Sequence, residues 1–132
     1  SLSSVTLPGT LTRVGVSAFE NDRALAKIAL PNAVTEIAAR AFANCGKLDG
    51  VVLPDALAAL GEAAFENCLS LTAIDVPAGV GSVGNAAFRG CAALTRASLP
   101  GAAEIGESAF EGCTSLIDLR FGESGNPGVI IS

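Results

Sequence analysis

The sequence predicts a solenoid, a fold in which successive turns of the chain stack on one another. Phenylalanine preceded by alanine recurs at spacings of 23, 23, 23 and 22 residues, at Phe19, Phe42, Phe65, Phe88 and Phe110. Three residues later stands a cysteine in the last four repeats, at Cys45, Cys68, Cys91 and Cys113, while Asp22 takes this place in the first. A leucine follows each phenylalanine by six residues. A fixed period of this size indicates that equivalent residues of neighbouring turns form a shared core.

The leucine of each repeat opens a segment of the form LxxLxLP, which predicts a strand. Clear copies are residues 48–54 and 71–77; the first copy begins at Leu2, and the last, 116–122, ends with Gly122 in place of proline. The fourth and sixth residues alternate as inward, apolar positions, which is the period of a half-buried strand. Proline then ends the strand because it cannot donate a ladder hydrogen bond.

The second half of each repeat carries another apolar pair, such as Val34 and Ile37, and then in most repeats a glycine. The following Ala-Phe-x-x-Cys segment is long enough for one turn of 3₁₀ or α-helix, so we predict a short helical corner there. By length the chain is one domain. We assign residues 1–121 to the solenoid, and residues 122–132, rich in turn-forming Gly, Asn and Pro, to a C-terminal loop or cap.

The complete pattern resembles the BspA-type class of leucine-rich repeat over residues 2–121. The resemblance implies an α/β fold: a right-handed leucine-rich-repeat solenoid with a concave parallel β-sheet and short helical corners. It also implies a bacterial or protozoan protein that is located at the cell surface, secreted or periplasmic, and that acts as an adhesin or binding module. Asp22 and Gly122 depart from the pattern in a manner typical of end repeats, and Ala97 stands at a strand core position.

Composition excludes several classes of function. The 13 acidic and 8 basic residues are scattered and give a net charge of −5, without the basic stripe of a nucleic-acid-binding protein. No apolar run reaches the roughly 18 residues of a membrane span. The chain starts without methionine or a signal sequence, as expected of a mature form or an excerpt.

The four cysteines are candidate metal ligands or disulfide partners. Stacked one per turn at about 4.8 Å, they cannot converge on a single zinc ion at about 2.3 Å. We predict buried free thiols, with oxidation of one neighbouring pair as the alternative.

We predict that the protein is not an enzyme and that it has no cofactor. The sequence contains no histidine, so the usual Ser-His and Cys-His pairs are impossible. The carboxylate pairs Glu62 with Glu66 and Glu107 with Glu111 are expected on the solvated outer surface. The recurring phenylalanines are expected to form a core stack.

The outward residues of the LxxLxL strands are the candidate binding face for a protein or glycan ligand, although a plain solvated sheet is the alternative. The candidate ligand-binding residues are Lys27, Val52, Asp75, Arg96, Ser98, Asp118 and Arg120. Parallel stacking places Arg96 beside Asp118, and Asp75, Ser98 and Arg120 in the next row, so we expect Arg96–Asp118 and Asp75–Arg120 pairing. A second hypothesis is a self-associating, homo-oligomeric scaffold that pairs through the strand edges at its open ends.

Overall fold

The computed structural model describes residues 4–5, 7–102, 104–121 and 130–131 as a parallel β-solenoid. Paired residues of consecutive turns lie one repeat apart, as Lys27 pairs with Gly50 and Arg96 with Asp118. The strands are β1 (Ser4–Val5), β2 (Arg13–Val14), β3 (Lys27–Ala29), β4 (Glu36–Ile37), β5 (Gly50–Val52), β6 (Ala59–Leu60), β7 (Ala73–Asp75), β8 (Ser82–Val83), β9 (Arg96–Leu99), β10 (Glu104–Ile105), β11 (Asp118–Phe121) and β12 (Ile130–Ile131).

The odd-numbered strands form what we call the first face, and they coincide with the LxxLxL segments. They make two three-stranded parallel sheets, ordered β1-β3-β5 and β7-β9-β11, with no pairing between β5 and β7. The strands predicted from the sequence are therefore confirmed, but the sheet that they form is split in the middle.

The even-numbered strands form a second face that the sequence analysis did not assign to strands. They build one six-stranded parallel sheet, ordered β2-β4-β6-β8-β10-β12. Each strand is two residues long, and each of the five strands from β2 to β10 contributes one buried residue, such as Ile37 or Val83. These residues are the second members of the apolar pairs, so the pairs supply the core from a second sheet.

A continuous stack of phenylalanine rings fills the centre of the solenoid, as predicted. The ring of Phe65 lies 5.1 Å from that of Phe42 and 5.5 Å from that of Phe88, with interplanar angles of 4° and 1°. All three rings are fully buried. At the two ends of the stack Phe19 and Phe110 are half-buried and each contacts one ring.

The cysteines form a second row, and all four are free thiols. Cys45, Cys68 and Cys91 are buried, as predicted, whereas Cys113 at the end of the row is half-buried. Each thiol donates to a phenylalanine carbonyl oxygen of the preceding repeat, as Cys68 does to Phe42 at 3.2 Å and Cys91 to Phe65 at 3.1 Å. Asp22, which replaces cysteine in the first repeat, instead accepts hydrogen bonds from two amides of its own turn. Burial raises the pKa of Cys45 to about 11.

The predicted helical corner is not confirmed, because the described Ala-Phe-x-x-Cys segments are series of turns. In the second repeat the N–H of Phe42 donates to the carbonyl of Ala64 at 2.8 Å, and that of Asn44 to Glu66 at 2.7 Å. Only the intervening amides close i→i−3 turns. Arg40 and Asn44 have φ values of 60° and 62°, in the left-handed region. Bonding between neighbouring turns thus replaces the bonding of a local helix.

Within the segment that we assigned to a C-terminal loop or cap, β12 pairs with β10 at the edge of the second face. The rest of the predicted C-terminal loop or cap (residues 122–132), namely 122–129 and 132, lies outside the described residues. The division of the chain at residue 121 therefore stays a prediction.

Candidate binding surfaces

The register of the first face places the candidate residues in the predicted rows. Arg96 pairs in register with Asp118, while Ser98 lies between Asp75 and Arg120. Because the strands are parallel and in register, each row collects one residue from each turn. Five of the seven candidate residues therefore form one group on β7, β9 and β11.

The ion pairs within this group differ from those expected. Arg96 Nη2 lies 3.4 Å from Asp75 Oδ2, and Arg120 Nε lies 2.9 Å from Asp118 Oδ1 in its own strand. The expected Arg96–Asp118 and Asp75–Arg120 pairs are wrong. Strand register fixes which backbone positions are adjacent, but the long arginine side chains reach diagonally to the next strand or along their own strand. The hydrogen bond from Arg120 lowers the pKa of Asp118. These exposed pairs are screened by water and contribute little to folding.

An apolar depression of about 400 Å³ lies over β3 and β5 and extends across the split in the first-face sheet to Ala73. Its lining includes Lys27 and Val52 from the candidate set, together with Gly50 and Ala73. Val52 is 62% exposed, and Lys27 Nζ contacts Asp49 Oδ1 at 2.9 Å. The structure thus divides the predicted site into this apolar depression and the charged group on β7, β9 and β11.

The outer corner carries a row of alternating charges. Arg40 Nη1 lies 3.9 Å from carboxylate oxygens of both Glu20 and Glu66, and Arg89 Nη1 lies 3.9 Å from Glu66. Arg89 Nε also contacts Glu111 Oε1 at 3.0 Å. The carboxylate pairs are on the outer surface, as expected, but the side chain of Glu66 is only 18% exposed between its two arginines. Glu66 therefore contacts the arginines of both neighbouring repeats.

Sequence analysis missed a row of asparagine side chains, which we call the asparagine ladder. Asn44 Nδ2 donates to Asn21 Oδ1 at 2.9 Å, and Asn67 Nδ2 donates to Asn44 Oδ1 at 3.0 Å. The ladder residues stand two positions after the first three repeat phenylalanines, and this spacing was the available signal. All three have positive φ values, and asparagine is enriched in this region of backbone conformation. From the sequence, the recurring asparagines are therefore explained by the turns in which they lie, without a contact between their side chains.

A depression of about 540 Å³ lies beside the asparagine ladder. Besides the ladder it is lined by Arg23, Gly46, Lys47 and Leu69. Arg23, Lys47 and Leu69 are exposed.

Metal and membrane features are not found in the described part of the chain. No three side chains of His, Cys, Asp or Glu there are grouped so that they could hold a metal ion. The same residues include no helix long and apolar enough to cross a membrane.

The chain belongs to the BspA type leucine rich repeat region family, whose model matches residues 1–117 in six copies. The class of protein is therefore a BspA-type leucine-rich repeat solenoid. No curated protein matches the chain significantly.

Solved bacterial proteins share this fold. A leucine rich cell surface protein from Faecalibacterium prausnitzii is 32% identical, with a TM-score of 0.88 over 92% of this chain and 32% of that one. A leucine-rich repeat protein from Bacteroides ovatus is 28% identical, with a TM-score of 0.73 over 89% of this chain and 37% of that one. The leucine rich repeat protein of T. pallidum is 29% identical, with a TM-score of 0.65 over 91% of this chain and 73% of that one. The chain thus spans about a third of the length of the first two.

Proposed function

We propose that this chain is a non-enzymatic binding or adhesion module of a bacterial surface, secreted or periplasmic protein, and that it docks a protein or glycan ligand on its first face. Membership of the leucine-rich repeat family and the likeness to a cell surface protein support this class. The observation that carries the choice of face is the apolar depression at the split between β5 and β7. Val52 stands exposed there among small residues, and exposed apolar surface rimmed by polar groups favours docking.

The two parts of the first face have complementary roles in this proposal. The depression around Val52 and Lys27 receives an apolar group of the ligand. The polar residues Asp75, Arg96 and Ser98, together with Asp118 and Arg120, then select a ligand by hydrogen bonds and charge. Specificity of this kind comes from a polar rim around a desolvated centre.

The test uses two valines of almost equal exposure on different surfaces, Val52 at 62% and Val16 at 63%. Adhesion of the purified chain to a panel of immobilised host extracellular proteins and glycans is measured for Val52→Asp and Val16→Asp. We expect Val52→Asp to weaken binding at least about tenfold, because it places a charge in the docking depression. Val16→Asp should leave binding unchanged. Loss of binding with Val16→Asp alone would place the working surface elsewhere.

The second candidate function is a self-associating, homo-oligomeric scaffold. The specific observation behind it is the outer edge of β11, which pairs only with β9 in the described structure. An uncovered strand edge is a template for pairing with another chain. Light scattering at micromolar concentration distinguishes the two candidates: a defined oligomer favours the scaffold, and a monomer contradicts it.

A further inference from the structure

The positive charges of the protein are distributed unevenly between paired and unpaired positions. Six of the eight basic side chains contact a carboxylate within 4.0 Å: Arg13, Lys27, Arg40, Arg89, Arg96 and Arg120. Arg23 and Lys47 form no ion pair with any acidic residue that the structure describes, and both line the depression beside the asparagine ladder. A chain of net charge −5 therefore collects its uncompensated positive charge at one place.

The asparagine ladder supplies fixed hydrogen-bonding groups to the same depression. A carboxamide has two N–H donors and an oxygen acceptor, and each ladder contact uses one donor and one acceptor. In the described contacts, the second N–H of Asn44 and of Asn67 and both N–H groups of Asn21 keep their donor capacity. The ladder bonds hold the amides in a row at the strand spacing of about 4.8 Å. Groups that are fixed before binding lose little entropy when a ligand arrives.

The asparagine ladder ends at Asn67, close to an exposed aliphatic side chain. At the next position stands Gly90, and a Cβ atom added there would collide with Asn67 Oδ1. The terminal amide oxygen therefore occupies space that a side chain would otherwise take, and it has no protein donor among the described contacts. Leu69 lines the same depression and is 56% exposed. The depression thus combines two cations, a row of amides and one aliphatic side chain.

We propose that this depression is a second binding site, separate from the first face, and that it takes a glycan whose sugars carry carboxylates. Arginine and lysine favour a carboxylate. Sugar hydroxyl groups both donate and accept, so they match amides that offer N–H groups and an oxygen. The apolar face of a sugar ring can pack on Leu69. An acidic peptide satisfies Arg23 and Lys47 but has few hydroxyl groups for the ladder, so the structure favours the glycan.

The test measures binding of the whole chain to defined probes by calorimetry at low salt. The probes are a short oligogalacturonate, sialyllactose, a neutral oligosaccharide of similar length and a short oligoglutamate. We expect at least one carboxylated glycan to bind, with affinity falling as salt rises because the pairing is electrostatic, and the other two probes to bind at least tenfold more weakly. Equal binding of the neutral sugar or of oligoglutamate would overturn the proposal, and so would binding of neither carboxylated glycan.

Two double variants with the same change in charge locate the site. Arg23→Gln with Lys47→Gln should weaken glycan binding at least tenfold. Arg13→Gln with Arg40→Gln, which removes two cations from outside both the depression and the first face, should change affinity less than twofold. Matching circular dichroism spectra show that both variants are folded. Equal effects of the two variants would mean that overall charge, not this depression, governs binding. Val52→Asp should leave glycan binding here intact, which separates this site from the first face.

Discussion

Replacing Phe65 by alanine tests whether the ring stack holds the solenoid together as one unit. Phe65 is fully buried between two parallel rings, at 5.1 Å and 5.5 Å. Emptying a buried aromatic site usually costs about 3–5 kcal/mol, and the cost is larger where the surroundings cannot collapse. Phe42 and Phe88 are themselves packed against the next rings of the stack, so they cannot close the gap. We therefore expect a loss of about 4–5 kcal/mol.

Phe19→Ala is the matched control, because Phe19 is half-buried and stacks on one ring, at 5.2 Å. It should cost about half as much as Phe65→Ala, since it loses one aromatic contact instead of two. Both losses are measured by urea unfolding followed by circular dichroism, which yields the midpoint and the slope of the transition.

The shape of the unfolding curve carries additional information. In a solenoid, stability is a sum of the stabilities of single turns and of the interfaces between neighbours. A loss of this size is a large part of the 5–15 kcal/mol typical of a domain. Weakening the central interface should therefore lower the slope or separate two transitions. If Phe65→Ala shifted the midpoint no more than Phe19→Ala, the reasoning from a continuous, rigid stack would be refuted.

Three further features are open to direct measurement. In the folded protein at pH 8 all four thiols should react slowly with iodoacetamide: burial raises the pKa of Cys45 and of Cys113 to about 11, and the side chains of Cys68 and Cys91 are fully buried. Denatured protein should show all four thiols, and fewer than four would reveal a disulfide. The thiol of Cys45 ionises at a lower pH in the unfolded chain than in the folded one. The free energy of unfolding should therefore be fully present below pH 9 and should fall as the pH rises towards 11. A urea unfolding midpoint that stays constant over this pH range would argue against thiol burial. Gly84→Ala should lower the free energy of unfolding in urea by about 1–3 kcal/mol, because the added Cβ would lie 2.6 Å from the backbone of the preceding turn. Gly15→Ala should be tolerated, because no described atom lies within 4 Å of the added Cβ. Arg96→Ala with Arg120→Ala should barely move the melting temperature, because both pairs are exposed; a shift as large as that of Gly84→Ala would show that they matter for folding.

The stacked core could be predicted from the sequence because its residues recur at the same place in every turn. Phe65, Cys68 and Leu71 repeat with the period of the solenoid, and this period alone fixes which residues stack. The register of the first-face strands follows from the same argument, since each turn adds one strand beside the last. The shorter last repeat is accommodated without loss of register, as the pairing of Glu104 with Ser82 and of Asp118 with Arg96 shows.

The second face and the corners could not be predicted because neighbouring turns, not local sequence, determine them. A two-residue strand such as Glu36–Ile37 is too short to show the alternation by which strands are recognised. The corner residues are compatible with one helical turn, yet the N–H of Phe42 bonds to the next repeat instead. The sequence likewise does not determine which exposed charges form ion pairs. Strand register fixes the backbone position of Arg96, but it does not fix where the guanidinium group at the end of the side chain lies.

We expect function in this solenoid to depend on the rows that change along the axis rather than on those that repeat. The inward rows stay constant because every turn must fill the same core. An outward row has no such constraint, so a change within it indicates either neutral drift or selection for a ligand. Two outward rows change abruptly: the first face passes from Ala29 and Val52 to Asp75, and the ladder stops at Gly90. The first change coincides with the split in the sheet and its apolar depression, and the ladder's depression holds both cations that lack a described carboxylate partner. Neutral drift alone does not explain why a change in an outward row coincides with a depression in the surface. For this reason we place the two proposed binding sites at these positions.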